Sequence, residues 1–165
     1  MSQVRLILGS TTDEDKAIKI TEIWNELEVH YQTSVASCHW HSGDGFAEFV
    51  KSLKEEIIVF LGGMSFQAPD IAKSILKNSG KFLPVIGIPT DEAARSAIED
   101  LPKGTGILTT GLNQISLSHS LENAALTIAE LVALVYRDDR IYANLKNYHR
   151  EQKEGDKKIE SDFFP

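Results

Sequence analysis

One pattern constrains the fold of this chain more than any other. Strand-like runs at residues 4–8, 31–36, 57–61, 84–89 and 106–109 alternate with stretches of helical spacing. The run at 57–61 is apolar throughout, as a strand buried on both faces must be. Between the runs, Ala17, Ile20, Ile23, Trp24 and Leu27 recur at helical spacing, as do Phe46, Phe49, Val50 and Leu53. Ile71, Ala72, Ile75 and Leu76 make a third such face behind Pro69, a residue suited to a first helical turn. Residues 91–98 read as a further helix, and Leu121, Ala124, Ala125, Ile128, Leu131, Val132 and Val135 make the strongest stripe in the chain. Alternation of this kind predicts an α/β fold: a single-domain, three-layer α/β/α sandwich whose parallel sheet has helices on both faces.

Residues 1–137 are expected to form that domain. From 138 to 165 the chain turns polar, and Ile141, Leu145 and Tyr148 suit a C-terminal helix packing on the domain or on a neighbouring subunit. Residues 151–162 are expected to be mobile, with Phe163 and Phe164 as an anchor. At 165 residues the chain can bury a full core. A formal charge of -7 and a pI near 5.2 argue against a nucleic-acid partner, because an acidic surface repels a phosphate backbone. The single cysteine, Cys38, cannot form an internal disulfide, which suits a reducing compartment. No apolar run approaches the roughly 20 residues that cross a bilayer, and no leader pattern opens the chain. A cytoplasmic protein with no membrane partner is the expectation.

Open parallel sheets bind ligands beyond the carboxyl ends of their strands. Three segments with chemistry lie there: Gly-Ser-Thr-Thr-Asp at 9–13, Ser-Cys-His-Trp-His-Ser at 37–42, and Gly-Gly-Met-Ser-Phe-Gln at 62–67. The first reads either as a helix cap, with Thr12 and Asp15 at capping-box spacing, or as a loop that recognises hydroxyls. No Gly-x-Gly-x-x-Gly and no Gly-Lys-Ser/Thr follows a strand, so a dinucleotide or triphosphate cradle is not expected. The glycines of the third segment allow a ligand to approach backbone N–H groups, or they simply make a turn. In the second segment His39 and His41 supply too few ligands for a metal on their own. Cys38 is either a nucleophile or a small packing residue. His39 is either a loop residue or a general acid and base.

Taken together these segments resemble the PurE family, the carboxylating enzymes of purine biosynthesis. Gly9 to Asp13 is similar to the family's Gly-Ser-x-Ser-Asp, and Ser37-Cys38-His39 lies where it has Ser-Ala-His. Gln67-Ala68-Pro69 corresponds to its His-Leu-Pro, and the segment at 83–89 is close to its Leu-Pro-Val-Ile-Gly-Val-Pro. Leu101-Pro102-Lys103-Gly104 and Asn123-Ala124-Ala125 match further segments in order.

The resemblance implies a flavodoxin-like domain, usually assembled as a homo-octamer, that uses neither metal nor organic cofactor. It implies carboxyl transfer on 5-aminoimidazole ribonucleotide, by an N-carboxy to 4-carboxy mutase or by direct carboxylation with carbon dioxide. His39 would be the catalytic proton shuttle. Ser10, Thr12 and Asp13 would hold the phosphoribosyl part, with Asp13 on ribose hydroxyls. Ser37 would orient its loop near the phosphate, and the backbone of Gly63, Met64 and Ser65 would face the migrating carboxylate.

Two positions depart from the family. Trp40 stands where the family keeps an arginine or lysine, which removes a charge-assisted bond worth about 1.5–3 kcal/mol; His41 and Arg95 are the substitutes in view. Gln67 replaces a histidine and can donate a hydrogen bond but cannot titrate. These departures motivate an alternative, a non-catalytic or repurposed PurE-like oligomer that binds a different nucleotide or partner. A third reading rests on Cys38-His39, a dipeptide similar to the nucleophile elbow of the PfpI family, and would make Cys38 the centre of a hydrolase or glyoxalase.

Overall fold

The computed structural model describes residues 2–39, 43–64, 66–100, 106–110 and 116–163, with the backbone alone at 43 and 155–163. Five parallel strands alternate with helices in the order β1 (Val4–Leu8), α1 (Glu14–Glu26), β2 (Tyr31–Val35), α2 (Gly43–Ser52), β3 (Ile57–Gly62), α3 (Ala68–Asn78), β4 (Val85–Pro89), α4 (Glu92–Glu99), β5 (Leu108–Thr109), α5 (Leu117–Tyr136) and α6 (Asp139–Phe163). The sheet order is β2-β1-β3-β4-β5. Leaving β1, the chain adds β2 on one side and then crosses to add β3 on the other. That reversal opens a crevice at the carboxyl ends of β1 and β3, the place where open α/β sheets bind ligands.

Alternation along each strand divides the core in two. Val4, Leu6 and Leu8 of β1 and Ile57, Val59 and Leu61 of β3 face Trp24, Leu121, Ala125, Ile128 and Val132 from α1 and α5. Ile7, Ile58 and Phe60 face the other way, onto Phe46, Val50, Ala72 and Leu76 of α2 and α3. Both faces are dry, which is why β3 and β4 read as unbroken apolar runs. The Trp24 indole N–H donates to the Ala125 carbonyl at 3.0 Å, tying α1 to α5 without leaving a buried donor unpaired.

The structure adjusts several expected boundaries. Gly43 and Gly45 lie inside the first turn of α2 rather than in a loop; the first residues of a helix do not donate to its internal N–H ladder, so glycine costs least there. The β5 strand is only Leu108–Thr109. The tail expected to be mobile at 151–162 continues as α6 to Phe163, in a stretch rich in the good helix formers Lys, Glu, Gln and Arg. Ile141 and Leu145 are buried and Tyr148 packs beside them, so this part of α6 docks on its own domain. Among the described residues no helix is long and apolar enough to cross a membrane.

Candidate active site

A cleft of about 330 Å³ opens at the carboxyl ends of β1, β2, β3 and β4. Its floor is apolar, from Phe60, Phe66 and Ala68, and its walls are the loops that follow the strands.

The β1 loop supplies Ser10, Thr12 and Asp13. Ser10 has extended backbone and caps a short 3-10 turn, Thr11–Asp13, that leads into α1. Its hydroxyl accepts the Thr12 N–H at 3.1 Å and bonds the Thr12 hydroxyl, while the Ser10 N–H donates to Asp13 Oδ2 at 3.2 Å. The capping box is therefore Ser10 with Asp13, not Thr12 with Asp15. Both pairs have the right spacing, but only Asp13 is buried, where its carboxylate needs these donors. Asp13 Oδ1 also takes the Lys16 ammonium at 3.0 Å. Each carboxylate oxygen keeps a further lone pair for a ligand hydroxyl.

The β2 loop supplies Ser37, Cys38 and His39. The His39 N–H donates to Ser37 Oγ at 3.2 Å, which sets the turn and leaves the imidazole exposed at the cleft. Cys38 is half-buried against the α2–α3 core, and that burial pushes its thiol above the ordinary cysteine value, against a smaller opposing effect from a backbone hydrogen bond. A thiol held in its protonated form is a poor nucleophile, so this geometry favours Cys38 as a packing residue.

The β3 loop supplies Gly62, Gly63 and Met64. Here the structure adds a residue that was not in view. Asp91, at the end of β4, caps α4 by accepting the Ala94 N–H on Oδ1 at 2.8 Å. Its Oδ2 reaches across to accept the Met64 N–H at 3.0 Å. The carboxylate lies so close over Gly63 that a Cβ there would collide with it. The donor expected to face a migrating carboxylate is thus already bonded to an internal one.

Ser10, Thr12, Asp13, Ser37, His39, Gly63 and Met64 all line this single cleft. Gln67 does not; it is exposed ahead of α3 and makes no side-chain cap bond. Trp40, His41, Ser65 and the segment at 101–104 lie outside the described residues. Arg95, considered as a replacement cation, is directed along α4 to Glu92 and Glu99 at 3.6 and 3.5 Å and does not line the cleft. The residues that sequence reasoning missed are Lys16 and Asp91. Lys16 stands four residues after Thr12, on the same helical face, and Asp91 follows a strand end; reading the fourth strand end like the other three would have found it.

A family model described as AIR carboxylase matches residues 3–155. The N5-carboxyaminoimidazole ribonucleotide mutase of Methanocaldococcus jannaschii is 27% identical over 168 residues, covering 96% of this chain and 98% of the relative. The enzyme of the same name from Pyrococcus abyssi is 25% identical over 162 residues, covering 93% of this chain and 85% of that one. Among solved structures, Treponema denticola PurE superposes with a TM-score of 0.78 over 98% of both chains at 16% identity, a likeness of fold.

Proposed function

The chain belongs to the AIR carboxylase family, the PurE family of the resemblance, and on that premise we propose that it transfers a carboxyl group on 5-aminoimidazole ribonucleotide. The form favoured is the mutase, which moves the group from the exocyclic nitrogen to ring carbon four. One observation carries the reading: Ser10, Thr12, Asp13, Ser37 and His39, from two different loops, converge with Gly63 on one cleft at the switch point of the sheet. The names of the relatives point to the same reaction.

The chemistry needs one proton carrier. As the carbamate C–N bond breaks, the His39 imidazolium gives its proton to the nitrogen, and carbon dioxide is released within the cleft. Ring carbon four attacks the carbon dioxide, and the neutral imidazole takes the proton that carbon four gives up. The proton count closes, so the cycle needs no external acid or base. The apolar floor of Phe60, Phe66 and Ala68 excludes water that would otherwise carry the carbon dioxide away. Ser10, Thr12 and Asp13 hold the ribose and phosphate in this scheme, and a homo-oligomer, an octamer by the same resemblance, is its assembly.

The test is interconversion of the two carboxylated ribonucleotides by wild type and by His39→Asn. The variant is expected to lose about 10²- to 10⁴-fold in rate, the usual worth of a positioned acid-base group. Wild-type activity no greater than that of the variant overturns the proposal. Asp91 favours a second reading: a carboxylate already seated on the Met64 N–H opposes a second one there. A repurposed binder would then take the uncarboxylated ribonucleotide, and a raised melting temperature without turnover would distinguish it.

A further inference from the structure

We propose that Lys16 is the cation that receives the substrate's phosphate in this chain, in place of the cation the family carries directly after the histidine. This rests on the functional reading above, because that reading makes the ligand a monophosphate. Lys16 extends from the first turns of α1 into the cleft, where its ammonium contacts Asp13 Oδ1 at 3.0 Å and Thr90 Oγ1 at 3.2 Å. It is the only lysine or arginine among the described lining residues. An ammonium has three N–H donors; Asp13 and Thr90 take two, which leaves one for an occupant of the cleft.

Charge supports the assignment. The cleft carries two carboxylates, Asp13 and Asp91, and a ribonucleotide brings a phosphate of about -1.5 to -2. Among the described lining residues, Lys16 is the one lysine or arginine that offsets those carboxylates. With it, the Asp13 charge is cancelled at contact distance and the phosphate gains a charge-assisted bond. The sequence places Trp40 where a fixed cation is expected, and the other substitute in the described structure, Arg95, is turned away along α4. Thr12, which also lines the cleft, lies one turn before Lys16 and adds a hydroxyl to the same anion site.

The experiment compares binding of 5-aminoimidazole ribonucleotide with its dephosphorylated riboside, and of ribose 5-phosphate with ribose, to wild type and to Lys16→Met. The expected result is a loss of about ten- to a hundredfold for the phosphorylated ligands only, which is the worth of one charge-assisted bond. Lys16→Arg should recover much of it. Salt titration of the wild type requires no variant and should weaken the phosphorylated ligands selectively. Equal losses for both members of each pair, or a loss that follows a ligand carboxylate instead, overturn the inference. So does a wild type that binds ribose 5-phosphate no better than ribose. If turnover is absent but phosphate binding depends on Lys16, the functional reading fails and this inference stands. If turnover is present and Lys16→Met binds normally, the reverse holds.

Discussion

Two ion pairs lie at opposite ends of β1, and they are finished to different degrees. At the start of the strand, the Arg5 guanidinium donates to Glu55 Oε1 from Nη2 at 2.7 Å and from Nε at 3.1 Å. It also reaches Ser34 at 2.9 Å and the Gln32 side chain. Glu55 is buried and in addition takes the Ser2 hydroxyl at 2.8 Å and the Lys54 N–H at 3.1 Å. This knot joins β1, the edge strand β2 and the lead into β3, and it is closed on protein. Beyond the other end of the strand, Lys16 and Asp13 make a pair of similar length that opens onto a cleft. One end of the sheet has spent its polar groups on holding strands together; the other has kept donors and acceptors in reserve. The difference supports the carboxyl end as the candidate site more strongly than any single residue does.

That contrast can be broken experimentally. Glu55→Ala leaves a mostly buried guanidinium without its carboxylate and should cost about 3–5 kcal/mol, measured by urea unfolding. Ligand affinity of the folded fraction should stay unchanged; a fall in affinity with unchanged stability would reverse the roles of the two ends. Gly63→Ala drives a Cβ against the Asp91 carboxylate and should cost about 1–3 kcal/mol by overpacking, much of it recovered in the double variant with Asp91→Ala. Asp91→Ala alone removes the cap of α4, a loss of about 1 kcal/mol, and frees the Met64 N–H for a ligand carboxylate. Tighter binding of the carboxylated over the uncarboxylated ribonucleotide in that variant would sharpen the role of Asp91. Lys16→Met takes the ammonium from a buried carboxylate that keeps the Ser10 N–H, and should lower stability by about 1–3 kcal/mol.

The smallest effect is on pH. Burial alone would raise the Glu55 carboxyl, but hydrogen bonds from Arg5, Ser2 and the backbone, with the Arg5 charge, take it below the ordinary glutamate value. A carboxyl with a depressed folded-state value contributes stability that is full above its unfolded value and is lost as pH falls through the folded one. Unfolding free energy should therefore decline on the acid side of the glutamate range, and Glu55→Gln should flatten that decline. An equal slope in both proteins would remove Glu55 from the account.

Much of this was legible without coordinates. The sheet was visible because strands covered on both faces must be apolar at every position, as β3 is from Ile57 to Gly62. The strand ends were visible because glycines and hydroxyl residues interrupt those runs. The register of the capping box was not visible, since Thr12 with Asp15 satisfies the same spacing as Ser10 with Asp13; only burial of Asp13 separates them. Nor was the length of α6, where helix-forming residues carry the helix on to Phe163.

The sequence by itself determined the layers, the strand ends and the presence of Ser37 and His39 after β2, because periodicity and turn chemistry are local properties. Tertiary structure decided what those ends hold between them. Lys16 meets Thr90 and Asp91 meets Met64 across wide gaps in the chain. Local spacing cannot encode such contacts: they exist only because β3 packs between β1 and β4, bringing three loops to one edge. The same packing that buries the apolar strands determines which charges share the cleft.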